Sequence, residues 1–495
     1  MAGASTTAVA QEFETVIGLE CHVELSTTTK MFCGCRNEFG APPNTNVCPV
    51  CLGHPGSLPV PNERAIEYIV RIGLALGCDI APRSLFHRKN YFYPDMPKNF
   101  QISQYDLPVC VGGHLDVEVD EHVRRIGITR VHMEEDTGKT THAGVTGRIG
   151  QAEYALVDYN RAGVPLVEVV SEPDIRSPEE ARAYLTELRA ILEALGVSDV
   201  RMEEGSLRCD ANVSVRPAGS HELGVKVEIK NLNSIRSLER ALSHERDRQV
   251  ELLRAGGRPV QETRHFDEET GTTHPLRSKE EAFDYRYFPE PDLPPLELDP
   301  AWIEAIRATL PELPAARRDR LRREHGLRPE QASIVGSDAR AAEYFERAVA
   351  LGAPGPAVAR WMTQDLAAYL NRTGEGWEEL AKRFSPEALA DLLRRSEEGE
   401  LSSTGAKAAF ELVVETGRPL GEVIEERGLR QVSDTSQLEA WVDEVIAENP
   451  RLVEQFRGGK EGVLNALVGQ VMKRSAGSAN PQAVSELLRS RLAEP

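Results

Sequence analysis

Hydrophobic and polar residues alternate strictly over residues 16–25, which read Val-Ile-Gly-Leu-Glu-Cys-His-Val-Glu-Leu. A period of two predicts a strand. Ile17, Leu19, Cys21, Val23 and Leu25 share an apolar face, and Glu20, His22 and Glu24 line the other, with Gly18 beside them. Strand character recurs at 126–133, 155–158, 166–170, 207–215 and 225–230. At 207–215, Arg208, Asp210, Asn212 and Ser214 oppose Leu207, Cys209, Ala211, Val213 and Val215; at 225–230, Lys226, Glu228 and Lys230 oppose Val225, Val227 and Ile229. Glu168 interrupts an apolar run, 164–170, where a carboxylate is costly to bury unless paired or metal-bound. The 126–133 strand runs on into three consecutive acids, Glu134, Glu135 and Asp136. Helical periods occupy 63–76, 178–195 and 234–253; Ser177, Pro178, Glu179 and Glu180 suit the start of the second.

Strands followed by helices predict an α+β domain over residues 13–298, with its sheet forming one wall of a cleft. Residues 288–300 are too rich in proline for regular structure and are expected to be an extended linker or domain boundary. Amphipathic helices broken by Gly and Pro follow, giving an all-α domain over 299–427. A small helical tail domain, 428–495, carries clear helices at 436–448 and 484–492. Residues 1–12 are expected to be a disordered lead-in, being small and polar, without the basic start and apolar core of a signal peptide.

Composition narrows the functional classes. The 495 residues are 40% hydrophobic and 27% charged, ordinary for a soluble globular protein. No apolar run reaches the length of a membrane span, so cytoplasm is the default location. A net charge of -20 argues against a general nucleic-acid binder but leaves room for a local basic patch. Residues 451–491 hold seven Lys or Arg against three Glu. There a basic turn between helices could meet an RNA backbone, or be an ordinary solvated helix-loop-helix.

Two acids and a histidine on one strand face repel each other unless something positive lies among them, and a metal ion is the natural candidate. Five such polar faces suggest one shared cleft that would hold Mg²⁺ with a nucleotide; a solvated sheet face is the alternative. No Walker loop, no Gly-x-Gly-x-x-Gly after a strand and no Gly-x-Ser-x-Gly elbow occurs, so a bound nucleotide must rely on charge and metal. Lys89, among aromatic residues, is a candidate phosphate contact; a surface lysine is the plainer reading. Cys33-Gly-Cys35 and Cys48-Pro-Val-Cys51 have the paired spacing of a closed four-thiolate zinc knuckle, spanning 33–51, of structural rather than catalytic type. Two disulfides would not suit a cytosolic enzyme. Cys21, Cys78, Cys110 and Cys209 sit singly in apolar company and are expected in the core.

Together these segments closely resemble the B-subunit family of the bacterial and organellar glutamine-dependent aspartyl/glutamyl-tRNA amidotransferases. The likeness rests on Phe13-Glu-Thr-Val-Ile-Gly-Leu-Glu-Cys-His-Val-Glu-Leu25, Arg88-Lys-Asn-Tyr-Phe-Tyr-Pro94 and Asn160-Arg-Ala-Gly-Val-Pro-Leu-Val-Glu-Val-Val-Ser-Glu-Pro-Asp-Ile-Arg176. Met202-Glu-Glu-Gly-Ser-Leu-Arg-Cys-Asp-Ala-Asn212, Glu228-Ile-Lys-Asn-Leu-Asn-Ser234 and Asp284-Tyr-Arg-Tyr-Phe-Pro-Glu-Pro-Asp-Leu-Pro294 extend it, and Gly469-Gln-Val-Met-Lys473 with Ala479-Asn-Pro481 carries it into the tail.

The resemblance implies a β-rich cradle similar to the glutamine synthetase core. It implies ATP- and Mg²⁺-dependent phosphorylation of the side-chain carboxylate of Asp-tRNA(Asn) or Glu-tRNA(Gln), then amidation by ammonia from a glutaminase A subunit. A small C subunit would complete a heterotrimer, with the tail binding tRNA. By the same resemblance His22, Glu135 and Glu168 surround one metal, Asp210 and Glu228 form a second acidic position near the nucleotide, and Lys89 lies near the phosphates. Glu20 and Glu24 support the site. A His ligand leaves Mn²⁺ open beside Mg²⁺. Zinc is a property of this chain's own cysteines. An archaeal Glu-specific relative would carry a large inserted domain that is not visible here. A non-catalytic tRNA-docking subunit would favour Lys and Arg where the strand faces carry acids.

Overall fold

A computed structural model describes residues 12–119, 122–143, 153–276, 285–431, 435–475 and 479–493. Most of the expected lead-in, Asp284 of the tyrosine-rich motif and residues 476–478 of the basic turn lie outside them. The chain forms two compact units, Met1–Leu313 and Pro314–Pro495.

The first unit is built on a ten-stranded sheet among the described residues. In chain order its strands are β1 (Phe13–Glu24), β2 (Asp79–Ile80), β3 (Cys110–Val111), β4 (His114–Val119), β5 (His122–Glu135), β6 (Pro165–Ser171), β7 (Leu207–Pro217), β8 (Val227–Lys230), β9 (Glu262–Asp267) and β10 (Thr272–Pro275). The spatial order is β10-β9-β8-β7-β1-β6-β5-β3-β2, with β4 paired to β5. All pairings are antiparallel except β8 with β9. The five strands whose polar faces stood out in the sequence are therefore consecutive neighbours, β8-β7-β1-β6-β5.

Register aligns those faces. His22 lies opposite Glu168 on one side and Arg208 on the other, Glu168 opposite His132, Glu20 opposite Asp210, and Asn212 opposite Glu228. A one-residue slip of β1 would send its charged set into the core and its apolar set to the cleft, so the burial of one face enforces this register.

The apolar face is covered by α1 (Glu63–Ala75), α2 (Pro178–Leu195) and α3 (Ile235–Arg254), which join Ile17, Leu19, Cys21, Val23, Val131, Val167 and Val213 in one core. Each such side chain contributes about 1.5–3 kcal/mol when fully buried. All three helices start on a side-chain cap, Asn62, Ser177 and Ser234, and α2 ends on Gly196 at φ 65. The polar faces of β8, β7, β1, β6 and β5 lie on the opposite side.

The proline-rich stretch is not a linker. Phe288–Pro289 pairs with His87–Asn90, and Leu296–Glu297 pairs with Arg83–Ser84. Leu293 and Leu298 are buried in the core with Ile303 and Ile306 of α4 (Pro300–Arg307). Proline excludes helix and central strands but permits short edge pairings. The break between compact units accordingly falls after Leu313 rather than at 298.

The second unit is helical and has two separate cores. One runs from Leu321 to Ile424, the other from Leu438 to Leu492. No described helix is long and apolar enough to cross a membrane.

Candidate active site

The centre of the polar face is a group of two carboxylates and two imidazoles. Donor atoms of His22, Glu134 and Glu168 all lie within 4.8 Å of one another. His22 Nε2 is 3.6 Å from Glu168 Oε2, and His132 Nε2 is 3.2 Å from the same oxygen and 3.3 Å from Glu134 Oε1. Glu134 also accepts hydrogen bonds from Ser103 Oγ at 2.7 Å and Gln101 Nε2 at 3.0 Å. Lys89, on the strand His87–Asn90, places Nζ 3.8 Å from Glu134 Oε1 and 5.3 Å from the centre of the Tyr285 ring.

Burial opposes ionisation here, yet Lys89 and His132 hold Glu134 well below the usual carboxylate range, and the hydrogen bond and charge of His132 lower Glu168. Burial likewise opposes the His132 cation, but its bonds to Glu134 and Glu168 raise it to about 9. The acids are thus ionised around a positive charge. A divalent cation satisfies the same demand, and two carboxylate oxygens with an imidazole nitrogen are a donor set suited to Mg²⁺ or Mn²⁺.

Two further groups flank this centre. Towards β8, Asn212 Nδ2 donates to Glu20 Oε1 at 2.9 Å. Lys230 Nζ lies 3.6 Å from Asp210 and 3.4 Å from Glu228, whose Oε2 accepts from Thr263 Oγ1 at 2.7 Å. Burial, then the Glu168 charge, raises Glu20; burial raises Asp210 against the pull of Lys230. On the other side, Arg208 Nη2 donates to Asp136 Oδ2 at 2.6 Å, and Arg161 Nε is 3.5 Å from that oxygen. Burial opposes it, but the two arginines keep Asp136 low, whereas burial and the Asp136 charge push Glu24 up to about 8.

One expected member is elsewhere. Glu135 does not join His22 and Glu168; Glu134 does. Along β5 the side chains alternate, so His132 and Glu134 reach the polar face while Val131, Met133 and Glu135 point to the other. Glu135 is buried as the partner of Lys98 and accepts from the Ile102 N–H at 2.9 Å. Counting two residues on from His132 is the signal that finds Glu134. His132 itself carries no such signal, because its ligand-like place depends on the β5–β6 register. Glu20, His22, Glu168, Asp210, Glu228 and Lys89 all reach the polar face, in one contiguous band.

The four cysteines of the knuckle also converge. The sulfurs of Cys33, Cys35, Cys48 and Cys51 lie within 4.8 Å of one another, and all eight cysteines, each among the described residues, are free thiols. Cys48 N donates to Cys51 Sγ at 3.1 Å. The Cys33 hydrogen bond holds Cys51 down to about 5 against burial. Four convergent thiols fit a closed tetrahedral metal site. The knuckle packs close to Lys98 and Glu135: a Cβ on Gly53 would fall 2.5 Å from Lys98 Cγ, and one on Gly163, at φ +85, would lie 3.5 Å from Cys51 Cβ and 3.8 Å from Glu135 Oε2.

Known proteins align along nearly the whole chain. The family described as the GatB/GatE catalytic domain matches residues 15–304, and the GatB domain matches 343–492. The B subunit of the aspartyl/glutamyl-tRNA(Asn/Gln) amidotransferase from Carboxydothermus hydrogenoformans is 53% identical over 485 residues, covering 98% of this chain and 100% of that protein. Its counterpart in Moorella thermoacetica is 54% identical over 481 residues (97% and 100%), and that of Geobacter sulfurreducens 52% over 480 (97% and 99%).

Proposed function

Because this chain belongs to the family of aspartyl/glutamyl-tRNA(Asn/Gln) amidotransferase B subunits, and so to a glutamine-hydrolysing ligase of translation, we propose that its open sheet face is where the misacylated amino acid is activated. The side-chain carboxylate of Asp-tRNA(Asn) or Glu-tRNA(Gln) attacks the γ-phosphorus of ATP and ADP leaves. Ammonia then attacks the acyl carbon, inorganic phosphate departs and a proton is lost. The observation that carries this reading is the convergence of His22, Glu134 and Glu168 on a face flanked by Lys89 and Lys230.

A divalent cation held by those three residues would lower the repulsion between the two reacting anions. Lys89 and Lys230 supply positive charge for phosphate oxygens, Asp210 and Glu228 offer a second acidic position, and Glu20 is held by Asn212 as a supporting group. The reading keeps the likeness to the glutamine synthetase core, whose chemistry also passes through an acyl phosphate, together with a cytoplasmic heterotrimer in which A and C subunits deliver ammonia. It also places structural zinc on Cys33, Cys35, Cys48 and Cys51.

Hydroxylamine tests the first step. With ATP and Asp-tRNA but no glutamine or ammonia, hydroxylamine is expected to displace phosphate from the acyl phosphate and give the side-chain (β) hydroxamate, distinct from the α-hydroxamate it forms directly from the ester, at least about tenfold above an ADP control. Equal yields with ADP would overturn the activation step.

We also assign tRNA binding to the tail. Of its basic residues, Arg474 pairs with Glu444 and Glu448, and Arg491 with Glu439 and Asp443. Arg451, Lys460, Lys473 and Arg489 are exposed and offer charge to phosphate. Removing residues 435–495, which have their own core, is expected to weaken tRNA binding about 10–100-fold, as losing a few phosphate contacts does, and to leave the KM for ATP unchanged. An unaltered Kd for tRNA would sink the assignment.

A further inference from the structure

Arg208, on the polar face of β7, has no part in the metal or phosphate positions proposed above. Its strand position, directly opposite His22, puts it beside the central cluster. It is turned away from the acids of that cluster and towards Asp136, through Nη2. Its Nε is buried and has no acceptor. A buried N–H without an acceptor is costly, so Asp136 alone leaves this guanidinium incompletely satisfied.

Arg161 is built into the same corner. Its Nε donates to Thr137 O and its Nη2 to Gly138 O, both at 3.0 Å, so it is fixed from behind by the loop that follows β5. Asp136 Oδ1 is occupied by the Thr137 N–H at 2.7 Å, and Oδ2 is shared by the two guanidinium groups. Asp136 therefore holds the two planes in place. The Arg208 side chain keeps 38% of its surface exposed.

We infer that Arg208, braced by Asp136 and Arg161, is the binding residue for the side-chain carboxylate of the aminoacyl ester. A guanidinium matches a planar carboxylate with two parallel hydrogen bonds and repels metal cations. The lysines take the other ligand: Lys89 stands against Glu134 and Lys230 against Asp210 and Glu228. Nucleotide phosphates would then meet the lysines, Lys89 and Lys230, on either flank of the acid cluster, and the substrate carboxylate the corner where Arg208 meets Asp136. This assignment rests on the activation reading above.

The test compares Asp-tRNA(Asn) with its own product, Asn-tRNA(Asn), which differs only in the group Arg208 would bind. The assembled amidotransferase is expected to bind Asp-tRNA more tightly than Asn-tRNA, and Arg208→Ala to shrink that ratio about 10–100-fold, the worth of a charge-assisted pair. The KM for ATP should stay within about twofold of wild type. Arg208→Lys, which keeps the charge but loses the fork, should recover only part of the ratio and decides the matter if the alanine variant fails to fold. A ratio unchanged in the folded variants, or a rise in the KM for ATP as large as the loss of the ratio, would overturn the assignment. Failure of wild type to form the side-chain hydroxamate would instead overturn the activation reading, whatever Arg208 does.

Discussion

Glu134→Gln is expected to lower ATP-dependent amidation by at least about 100-fold and to weaken Mn²⁺ binding by about 10–100-fold, a range typical for losing a group that holds or orients a metal. The substitution keeps the shape of the side chain and removes its charge. It leaves His132 and Lys89 facing one carboxylate fewer, so a divalent cation loses both a ligand and part of the negative field. His22→Ala should act in the same direction. Glu135→Gln is the informative contrast, because its carboxylate lies on the other side of β5 as the partner of buried Lys98. Breaking a buried ion pair typically costs about 3–5 kcal/mol, so this variant should melt at lower temperature while its Mn²⁺ affinity, read by electron paramagnetic resonance, stays within about threefold of wild type. If Glu135→Gln lost Mn²⁺ and Glu134→Gln kept it, the metal position proposed for this cleft would be wrong.

Stripping the knuckle of metal should have the largest effect on stability. Purified protein is expected to release one zinc per chain to a chelator, as four convergent thiols close one tetrahedral site. The loss removes a cross-link between the two ends of residues 33–51. By analogy with other links that close a short loop, about 2–4 kcal/mol of stability goes with it. Cys48→Ser should behave like the stripped protein and gain nothing from added zinc. Because Gly53 and Gly163 pack the knuckle against Lys98 and Glu135, local protection from hydrogen exchange should fall over residues 98–102 as well as within the knuckle. Protein that carries no zinc yet melts at the same temperature with and without chelator would refute the metal site.

How far the sequence reaches can be judged from single strands. Alternation over residues 16–25 identifies β1, its buried face and its charged face, because period two is a local property. The same reasoning finds β5, β6, β7 and β8, and the helix cap at Ser177 lies where side-chain chemistry places it, whereas Ser234, expected inside its helix, caps it instead. Strands β9 and β10 escape it, since Thr-Arg-His-Phe and Thr-Thr-His have little apolar patterning and owe their state to pairing on a sheet edge. Residues 288–300 resemble a linker in sequence but are not one, because proline content says where a helix cannot be and nothing about which edge an extended chain will join.

The sequence by itself determined which residue types line the cleft, that four thiols could close on one metal, and to which family the motifs point. It could not decide between Glu134 and Glu135, adjacent acids of identical chemistry. That choice was made by the tertiary structure: pairing of β5 with β6 sets His132 opposite Glu168, and the pleat then sends Glu134 to the cleft and Glu135 to Lys98. The partnership of Arg208 with Asp136, residues distant in the chain, was likewise beyond local pattern. A strand's two faces are written in its own residues, whereas the neighbours that each face meets depend on register and sheet order, which only the folded chain establishes.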